Sequence, residues 1–177
     1  MNNWTVIKEP FPHVVFDGDK KIYDYVKGNW DHYFKNGPTE TTSRFIRCYY
    51  EDPILLNYMY ELSLKALTVF NIKNIINSDM LFEINENNEE GKQDGYINRE
   101  VHHDDLEKVV VGLWYFRDPN DDGKGGLGLH DINHGLCTEV PYEENKIVIF
   151  KNNFKAFHSV MPRKITEYKR KSIYFCI

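Results

Sequence analysis

Hydrophobic residues in the front of the chain recur at the spacing of amphipathic helices. A short apolar strand is predicted at residues 14–16, and a first helix comes after it. The apolar positions of this helix are Ile22, Val26 and Trp30. A second helix is predicted at about residues 53–70, because Asp52 can cap it and Pro53 suits the first helical position. Its apolar face is formed by Leu55, Met59, Leu62, Ala66 and Val69 or Phe70. Residues 18–75 are therefore predicted to form a helical support.

From Met80 onward the pattern changes to short apolar runs that are separated by turn residues. The runs are MLFEI, GYINREVHH, KVVVGLWYF, GGLGLH, CTEV, KIVIF, AFHSV and KSIYFCI. Eight short strands at this spacing are typical of a jelly roll. The chain is therefore predicted to be mainly β, with a cupin-like double-stranded β-helix at about residues 80–177 and N-terminal α-helices that support it.

Three segments are predicted to be loops around the mouth of this sandwich, where binding specificity usually lies. They are residues 85–95, residues 117–125 and the segment around residues 44–50. The first is polar and acidic, and the second contains Asp-Gly and Gly-Gly steps that favour a tight reversal of the chain. Their composition does not identify a ligand.

Size and composition narrow the classes of protein. The 177 residues fit one domain, and the net charge of −5 argues against duplex nucleic acid as a partner. Cys48, Cys137 and Cys176 are far apart in the sequence and lack CxxC spacing, which argues against a disulfide framework and a thiolate zinc site. Because the first 30 residues lack a secretion signal and no apolar run reaches about 18 residues, we expect a soluble cytoplasmic protein without a membrane partner.

The densest polar cluster is the run from His102 to Asp105, with sequence HHDD, just before a very apolar strand. Residues two apart in a strand face the same side, so His102 with Asp104, or His103 with Asp105, can supply two ligands to one metal. A third ligand from a distant strand would complete a two-histidine, one-carboxylate facial triad, the arrangement of non-haem Fe(II) oxygenases. We expect that strand to face the first one. The downstream candidates for the third ligand are His130, His134 and His158.

His158 differs from the other two candidates in its downstream residues. Arg170 comes twelve residues later, and Arg170 and Ser172 share one face of the last predicted strand. A guanidinium and a hydroxyl that point into a barrel need an anionic partner. A dicarboxylate that reaches Arg170 at one end and the metal at the other would satisfy both groups.

These residues resemble the non-haem Fe(II)- and 2-oxoglutarate-dependent oxygenases, in particular their small prolyl-4-hydroxylase-like branch. The similarity rests on VHHDDLEKVVVGLWYF, DDGKGGLGLH, KIVIFKNNFKAFHSV and RKSI, which match the family's H-x-D, GG-containing strand, distal H-x-V and R-x-S motifs in order. It covers about residues 100–173, and the opening EPFPHVVFDG with its helices is also similar to small members.

Position by position, the resemblance implies ligands for a metal and for a co-substrate. It implies that His102, Asp104 and His158 hold Fe(II), and that Arg170 with Ser172 binds the distal carboxylate of 2-oxoglutarate. Lys108, four residues after Asp104, and Tyr115, eleven after it, match a lysine and a tyrosine of relatives and favour His102 and Asp104 over His103 and Asp105. In relatives, the tyrosine at the position of Tyr115 forms a hydrogen bond with the same distal carboxylate.

One departure from the family pattern lies before the first ligand. Many hydroxylases have a tyrosine shortly before H-x-D, whereas Tyr96 and Arg99 occupy that neighbourhood here without a clean match. The sequence therefore does not identify the residues that contact the metal-binding end of 2-oxoglutarate.

The resemblance implies a dioxygenase, by default a hydroxylase. It would use Fe(II), 2-oxoglutarate and dioxygen, with ascorbate as a candidate accessory reductant, and it would couple formation of succinate and carbon dioxide to oxidation of a substrate C–H bond. The substrate would be a small molecule or a peptide. Peptidyl proline, a free amino acid, a sugar and a nucleotide all remain open.

Three other interpretations compete with this one. The segment 130–134, HDINH, is superficially similar to the H-E-x-x-H of zinc proteases, but glycines flank it and Asp replaces the catalytic Glu. A cupin-like metalloenzyme that does not use 2-oxoglutarate would have no need of Arg170 and Ser172. A non-catalytic jelly-roll module for sugar or peptide would leave the histidines without a metal.

Overall fold

The computed structural model describes residues 4–42, 45–73, 80–87, 96–164 and 166–177. Within these ranges the chain forms three helices and eleven strands. In chain order they are β1 (His13–Asp17), α1 (Lys20–Gly28), α2 (Trp30–Asn36), β2 (Thr39–Thr41), β3 (Phe45–Cys48), α3 (Pro53–Val69), β4 (Leu81–Asn87), β5 (Tyr96–His102), β6 (Val110–Tyr115), β7 (Leu127–His130), β8 (Leu136–Val140), β9 (Lys146–Lys151), β10 (His158–Lys164) and β11 (Lys171–Cys176).

The strands form two antiparallel sheets. The larger sheet has seven strands in the order β1-β9-β6-β11-β4-β3-β2, and the smaller has four in the order β5-β10-β7-β8. Strands that are distant in sequence lie side by side in both sheets, as in a double-stranded β-helix. The predicted fold class, a mainly β jelly roll with N-terminal helices, is confirmed.

Alternate residues of the central strands belong to different layers of the core. Ile147 and Ile149 of β9 pack in the cluster that contains the helices. Val148 and Phe150 pack instead in the cluster between the sheets, together with Leu129 of the smaller sheet. Because both faces of β9 are covered, its sequence is an unbroken apolar run without alternation.

The same alternation directs polar side chains of two neighbouring strands into the space between the sheets. In β11, Ile173 packs in the helix cluster, whereas Ser172 and Tyr174 line a pocket between the sheets. In β4, Glu83 and Asn85 line the same pocket. The inner face of the larger sheet therefore changes from apolar to polar at β11 and β4.

The predicted second helix is present as α3, with its predicted cap. Asp52 Oδ1 accepts hydrogen bonds from the backbone N–H groups of Ile54 (2.9 Å) and Leu55 (3.0 Å), and proline opens the helix. The predicted first helix is two helices, since α1 ends at Gly28 and α2 begins at Trp30. Trp30 nevertheless remains buried against the larger sheet, so the apolar spacing located the packed face correctly.

Two elements of the larger sheet were missed in the sequence. The segment around residues 44–50, predicted as a loop, contains β3, which pairs with β4, and β2 then pairs with β3 at the sheet edge. Strands this short carry little periodic signal, and their pairing is decided by distant residues. The predicted loop 85–95 begins later than expected, because β4 continues to Asn87, and residues 88–95 lie outside the described residues.

Two general predictions can be compared with the described residues. Cys48, Cys137 and Cys176 are all free, as their spacing indicates. None of the helices in the described ranges has the length and apolar character needed to cross a bilayer.

Candidate active site

His102, Asp104 and His158 converge at one end of the smaller sheet. One ligand atom from each side chain can be chosen so that all three lie within 4.8 Å of one another. His102 Nε2 lies 3.8 Å from Asp104 Oδ1, and His158 Nε2 lies 3.9 Å from Asp104 Oδ2. Within the described ranges, no second cluster of three potential metal ligands occurs. The donors are two imidazole nitrogens and one carboxylate, which suit a divalent transition metal.

Backbone hydrogen bonds fix both imidazoles in the same way. Nδ1 of His102 lies 2.8 Å from the carbonyl oxygen of Glu100, and Nδ1 of His158 lies 2.9 Å from that of Ala156. A carbonyl oxygen only accepts, so both Nδ1 atoms carry the proton and donate. Both Nε2 atoms are therefore available as ligands on the side that faces Asp104.

Burial keeps His158 neutral. Its side chain is almost fully enclosed, and this burial, opposed by the nearby Asp104 carboxylate, lowers the pKa of His158 to about 4. At neutral pH a metal ion does not have to displace a proton from Nε2 of this histidine.

The sequence left two pairs of metal ligands open, His102 with Asp104 and His103 with Asp105, and these pairs differ in their surroundings. Asp104 is buried, with 7% of its surface exposed, whereas His103 and Asp105 are both exposed. The His103 ring packs edge-on against Phe157. The geometry therefore favours His102 and Asp104.

The cluster is assembled differently from the sequence expectation in two respects. His158 was expected on a strand that faces the first one, but β10 is the hydrogen-bonded neighbour of β5, and His158 is the cross-strand partner of His102. Asp104 was expected on the strand itself, but β5 ends at His102 and Asp104 lies in the loop after it. Cross-strand pairing and the chain reversal, not strand alternation alone, bring the three side chains together.

Tyr174 holds the carboxylate of Asp104 and was not singled out in the sequence. Its hydroxyl donates to Asp104 Oδ2 (3.1 Å) and accepts from Lys108 Nζ (3.1 Å). Burial and then the adjacent Asp104 raise the pKa of Tyr174, so the hydroxyl stays protonated as a donor. The only sequence signal was its position two residues after Ser172, on the same strand face.

We expect Tyr174→Phe to weaken metal binding about 10- to 100-fold, the usual effect of losing a hydrogen bond to a ligating carboxylate. The change leaves the ring in place, so the melting temperature should change little. Anaerobic calorimetric titration of Fe(II) measures the effect, with Tyr60→Phe on the exposed face of α3 as the matched control. Equal affinities in the two variants would show that Asp104 does not need this bond.

Arg170, Ser172 and Tyr115 lie together at the start of β11. Ser172 and Tyr115 are cross-strand partners, and the Arg170 guanidinium carbon lies 5.0 Å from the centre of the Tyr115 ring. All three residues are buried, with at most 2% exposure. The Tyr115 hydroxyl and Arg170 Nη2 find no hydrogen-bond partner in the described part of the chain. A buried cation with unused donor capacity is costly unless an anion binds to it.

The guanidinium of Arg170 is held by the 117–125 connection, another feature that sequence reasoning missed. Arg170 Nε donates to the carbonyl oxygen of Gly125 (2.7 Å), and Gly125 has a positive φ of 86°. A Cβ at this glycine would lie 2.8 Å from the Arg163 side chain. Arg163 in turn forms a buried ion pair with Asp121 (2.8 Å). The predicted tight reversal thus also positions Arg170.

A pocket between the two sheets connects the metal-ligand cluster with Arg170. It has a volume of about 160 Å³. It is lined by Phe45, Arg47, Glu83, Asn85, Arg99, His102, Asp104, Lys108, Val111, Leu113, Leu127, His158, Val160, Arg170, Ser172 and Tyr174. Of the site residues predicted from the sequence, Tyr115 alone does not line it. One pocket therefore offers metal ligands and an anion-binding group.

The segment 130–134 does not form the helix that a zinc protease motif requires. His130 ends β7, the residues after it form a turn, and His134 has a positive φ of 67°. His130 Nε2 lies 2.8 Å from the Ser159 hydroxyl oxygen, so this histidine is satisfied inside the sheet.

Comparison with solved structures identifies proteins of the same fold. A prolyl-4-hydroxylase of Pseudomonas putida matches with a TM-score of 0.69 and 11% identity, over 93% of this chain and 91% of the other. A prolyl hydroxylase of Trichoplax adhaerens, solved with a peptide fragment of hypoxia inducible factor, matches with a TM-score of 0.69 and 12% identity, over 93% and 82%. An oxidoreductase of the 2OG-Fe(II) oxygenase family from Burkholderia pseudomallei matches with a TM-score of 0.58 and 10% identity, over 93% and 82%.

Sequence comparison adds nothing to the structural likeness. No protein-family model matches the chain, and no curated protein matches it. The chain thus shares the fold of prolyl hydroxylases and 2OG-Fe(II) oxygenases, whereas its chemistry depends on its own site residues.

Proposed function

We propose that the protein is an Fe(II)- and 2-oxoglutarate-dependent dioxygenase, by default a hydroxylase. The reaction would combine 2-oxoglutarate, dioxygen and a substrate C–H bond into succinate, carbon dioxide and the corresponding alcohol. The observation that carries the proposal is a single pocket with two His side chains and one Asp at one end and a buried, incompletely paired Arg170 at the other.

The residues present fit a bound iron. His102, Asp104 and His158 would hold it, since their donors match the facial triad and leave room on the pocket side for other ligands. When bound, the iron would supply the oxidative chemistry. The chain orients its ligands through the hydrogen bonds from His102 to Glu100, from His158 to Ala156 and from Tyr174 to Asp104.

The residues at the other end fit the distal carboxylate of 2-oxoglutarate. Arg170 Nη2 is an unused donor, and Ser172 adds a hydroxyl on the pocket wall. Tyr115 does not line the pocket, and we propose its unpaired hydroxyl as a further donor to the carboxylate from behind this wall. Burial raises the pKa of Tyr115, against the opposing effect of Arg170, so the hydroxyl keeps its proton and can donate. The apolar side chains of Val111, Leu113, Leu127 and Val160 line the pocket and limit the entry of water.

The alternatives explain fewer of these features. A cupin-like metalloenzyme without 2-oxoglutarate would leave a buried cation without its anion. A non-catalytic module for sugar or peptide would have no use for three converging metal ligands. The solved prolyl hydroxylase with a bound peptide supports a peptidyl or small-molecule substrate for this fold. We also propose a cytoplasmic location, because the three cysteines are free, as in a reducing compartment.

The proposal predicts that one equivalent of Fe(II) binds without oxygen, that 2-oxoglutarate then binds to the loaded protein, and that air starts slow release of succinate. Anaerobic titration calorimetry measures both binding steps, and chromatography measures succinate. Absence of Fe(II) binding would exclude the proposal, and Fe(II) binding without any 2-oxoglutarate binding would favour the cupin-like alternative.

A further inference from the structure

Part of the pocket is not needed for the metal or for 2-oxoglutarate. This part, the flank subsite, is defined by Phe45, Arg47, Glu83, Asn85 and Arg99. Four of these residues lie on β3 and β4 of the larger sheet, and Arg99 lies on β5 at the edge of the smaller one. The flank subsite therefore lies between the two sheets, toward one side of each.

Strand register places the flank subsite next to both functional ends of the pocket. Asn85 is the cross-strand partner of Ser172 on one side and of Arg47 on the other. Glu83 is the partner of Tyr174, which bonds to Asp104. A molecule in the flank subsite would thus lie beside the metal-ligand cluster, where a prime substrate belongs.

The wall formed by β4 offers hydrogen-bond acceptors. Glu83 is buried, with 9% exposure, and its Oε2 lies 3.5 Å from Arg47 Nε, an ion pair too long for a good hydrogen bond. Asn85 is 7% exposed, and its Oδ1 has no hydrogen-bond partner in the described ranges. A carboxylate and an amide oxygen that are buried side by side call for a ligand with several N–H donors and a positive charge.

The remaining charged groups of the flank subsite are guanidinium groups. Arg47 adjoins Glu83, and Arg99 lines the pocket from the other sheet. A negative group on the ligand would be favoured on this side. Positive and negative charges therefore line one small space.

We propose, on the basis of the proposed function, that the prime substrate is a free α-amino acid. Its ammonium group would bind to Glu83 and Asn85 Oδ1, and its carboxylate would bind to Arg99 and Arg47. The proline residue of a peptide has neither a positive charge nor an N–H for the two acceptors, and a nucleotide has no cationic group to pair with Glu83.

The test uses the full chain loaded with Fe(II) and 2-oxoglutarate. Each of the common L-amino acids is added in turn, and succinate release in air is compared with release in its absence. An active amino acid is then compared with its N-acetyl derivative, which lacks the ammonium, and with its amide, which lacks the carboxylate. We expect each derivative to lose at least about tenfold in kcat/KM, since buried polar groups would be left unpaired.

Variants and a binding measurement complete the test. Glu83→Gln should weaken binding of the active amino acid at least about tenfold in anaerobic calorimetry, with unchanged affinities for Fe(II) and 2-oxoglutarate. Glu40→Gln is the matched control, because this exposed carboxylate lies 3.8 Å from Arg47 outside the pocket lining.

The outcomes separate the two proposals. Failure to bind Fe(II) and 2-oxoglutarate overturns both. If Fe(II) and 2-oxoglutarate both bind normally, three results would overturn the amino-acid proposal alone. They are that no free amino acid stimulates turnover, that the two derivatives act as well as the parent amino acid, or that a short proline-containing peptide is the one active substrate. An effect of Glu40→Gln equal to that of Glu83→Gln also overturns it.

Discussion

Replacement of Asp104 by alanine is expected to abolish Fe(II) binding and succinate formation. The variant removes the one carboxylate that, among the described residues, lies within 4 Å of both His102 Nε2 and His158 Nε2. Loss of an indirect partner of a ligand already costs about 10- to 100-fold in metal affinity, so loss of the ligand itself should exceed about 100-fold. Anaerobic calorimetry with Fe(II) gives the affinity, and chromatography gives the succinate yield.

Asp105→Ala is the matched control for this prediction. It removes an exposed carboxylate one residue away, and metal binding should remain as in the unchanged protein. The result also decides between the two possible pairs of metal ligands, His102 with Asp104 and His103 with Asp105. If Asp105→Ala lost iron while Asp104→Ala retained it, the ligands would be His103 and Asp105, and Asp104 would not be a metal ligand.

Replacement of Arg170 by alanine is expected to raise the dissociation constant of 2-oxoglutarate at least about thirtyfold and to leave Fe(II) affinity nearly unchanged. Truncation of one partner of a buried charge pair costs about 2 kcal/mol or more. The variant also loses the hydrogen bond from Arg170 Nε to Gly125 and the packing on two tyrosine rings, so retained Fe(II) affinity is the check that it is folded. Calorimetric titration of 2-oxoglutarate into the Fe(II)-loaded variant measures the effect.

Lys169→Ala is the control for Arg170→Ala. Lys169 is also cationic and adjacent in sequence, but its ammonium pairs with Glu86 (2.6 Å) and it does not line the pocket. Its loss should leave the affinity for 2-oxoglutarate unchanged. Loss of Fe(II) binding in Arg170→Ala would mean that this residue supports the metal end and not the anion end.

Much of the fold could be predicted because local patterns and long-range packing agree. The apolar runs of β6, β9 and β11 are buried on both faces, and Asp52 followed by proline marks the start of α3. The pattern was insufficient where an element is short or polar. β3 has only four residues, and the end of β4 has few apolar residues because β4 lines the pocket with Glu83 and Asn85 on its inner face.

In the candidate site, too, some residues could be predicted from the sequence and others could not. The resemblance to the 2-oxoglutarate-dependent oxygenases implied His102, Asp104 and His158 as ligands, whereas strand alternation alone left His103 with Asp105 as a second possible pair. Tyr174 lies outside the matched motifs, and the motif that contains Asp121 and Gly125 did not indicate that they position Arg170. Their contributions depend on hydrogen bonds that span distances of 42 to 70 residues along the chain, which no local pattern records.

The sequence by itself determined the jelly-roll class, the helical support and the residues that could bind a metal and an anion, because strand alternation and motif spacing are local properties. Only the tertiary structure decided that β10 pairs with β5, which brings His158 to His102, and that β4 and β3 place Glu83 and Arg47 beside them. Pairing between distant strands depends on how all layers pack together, so the shape and charge of the pocket follow from the fold as a whole.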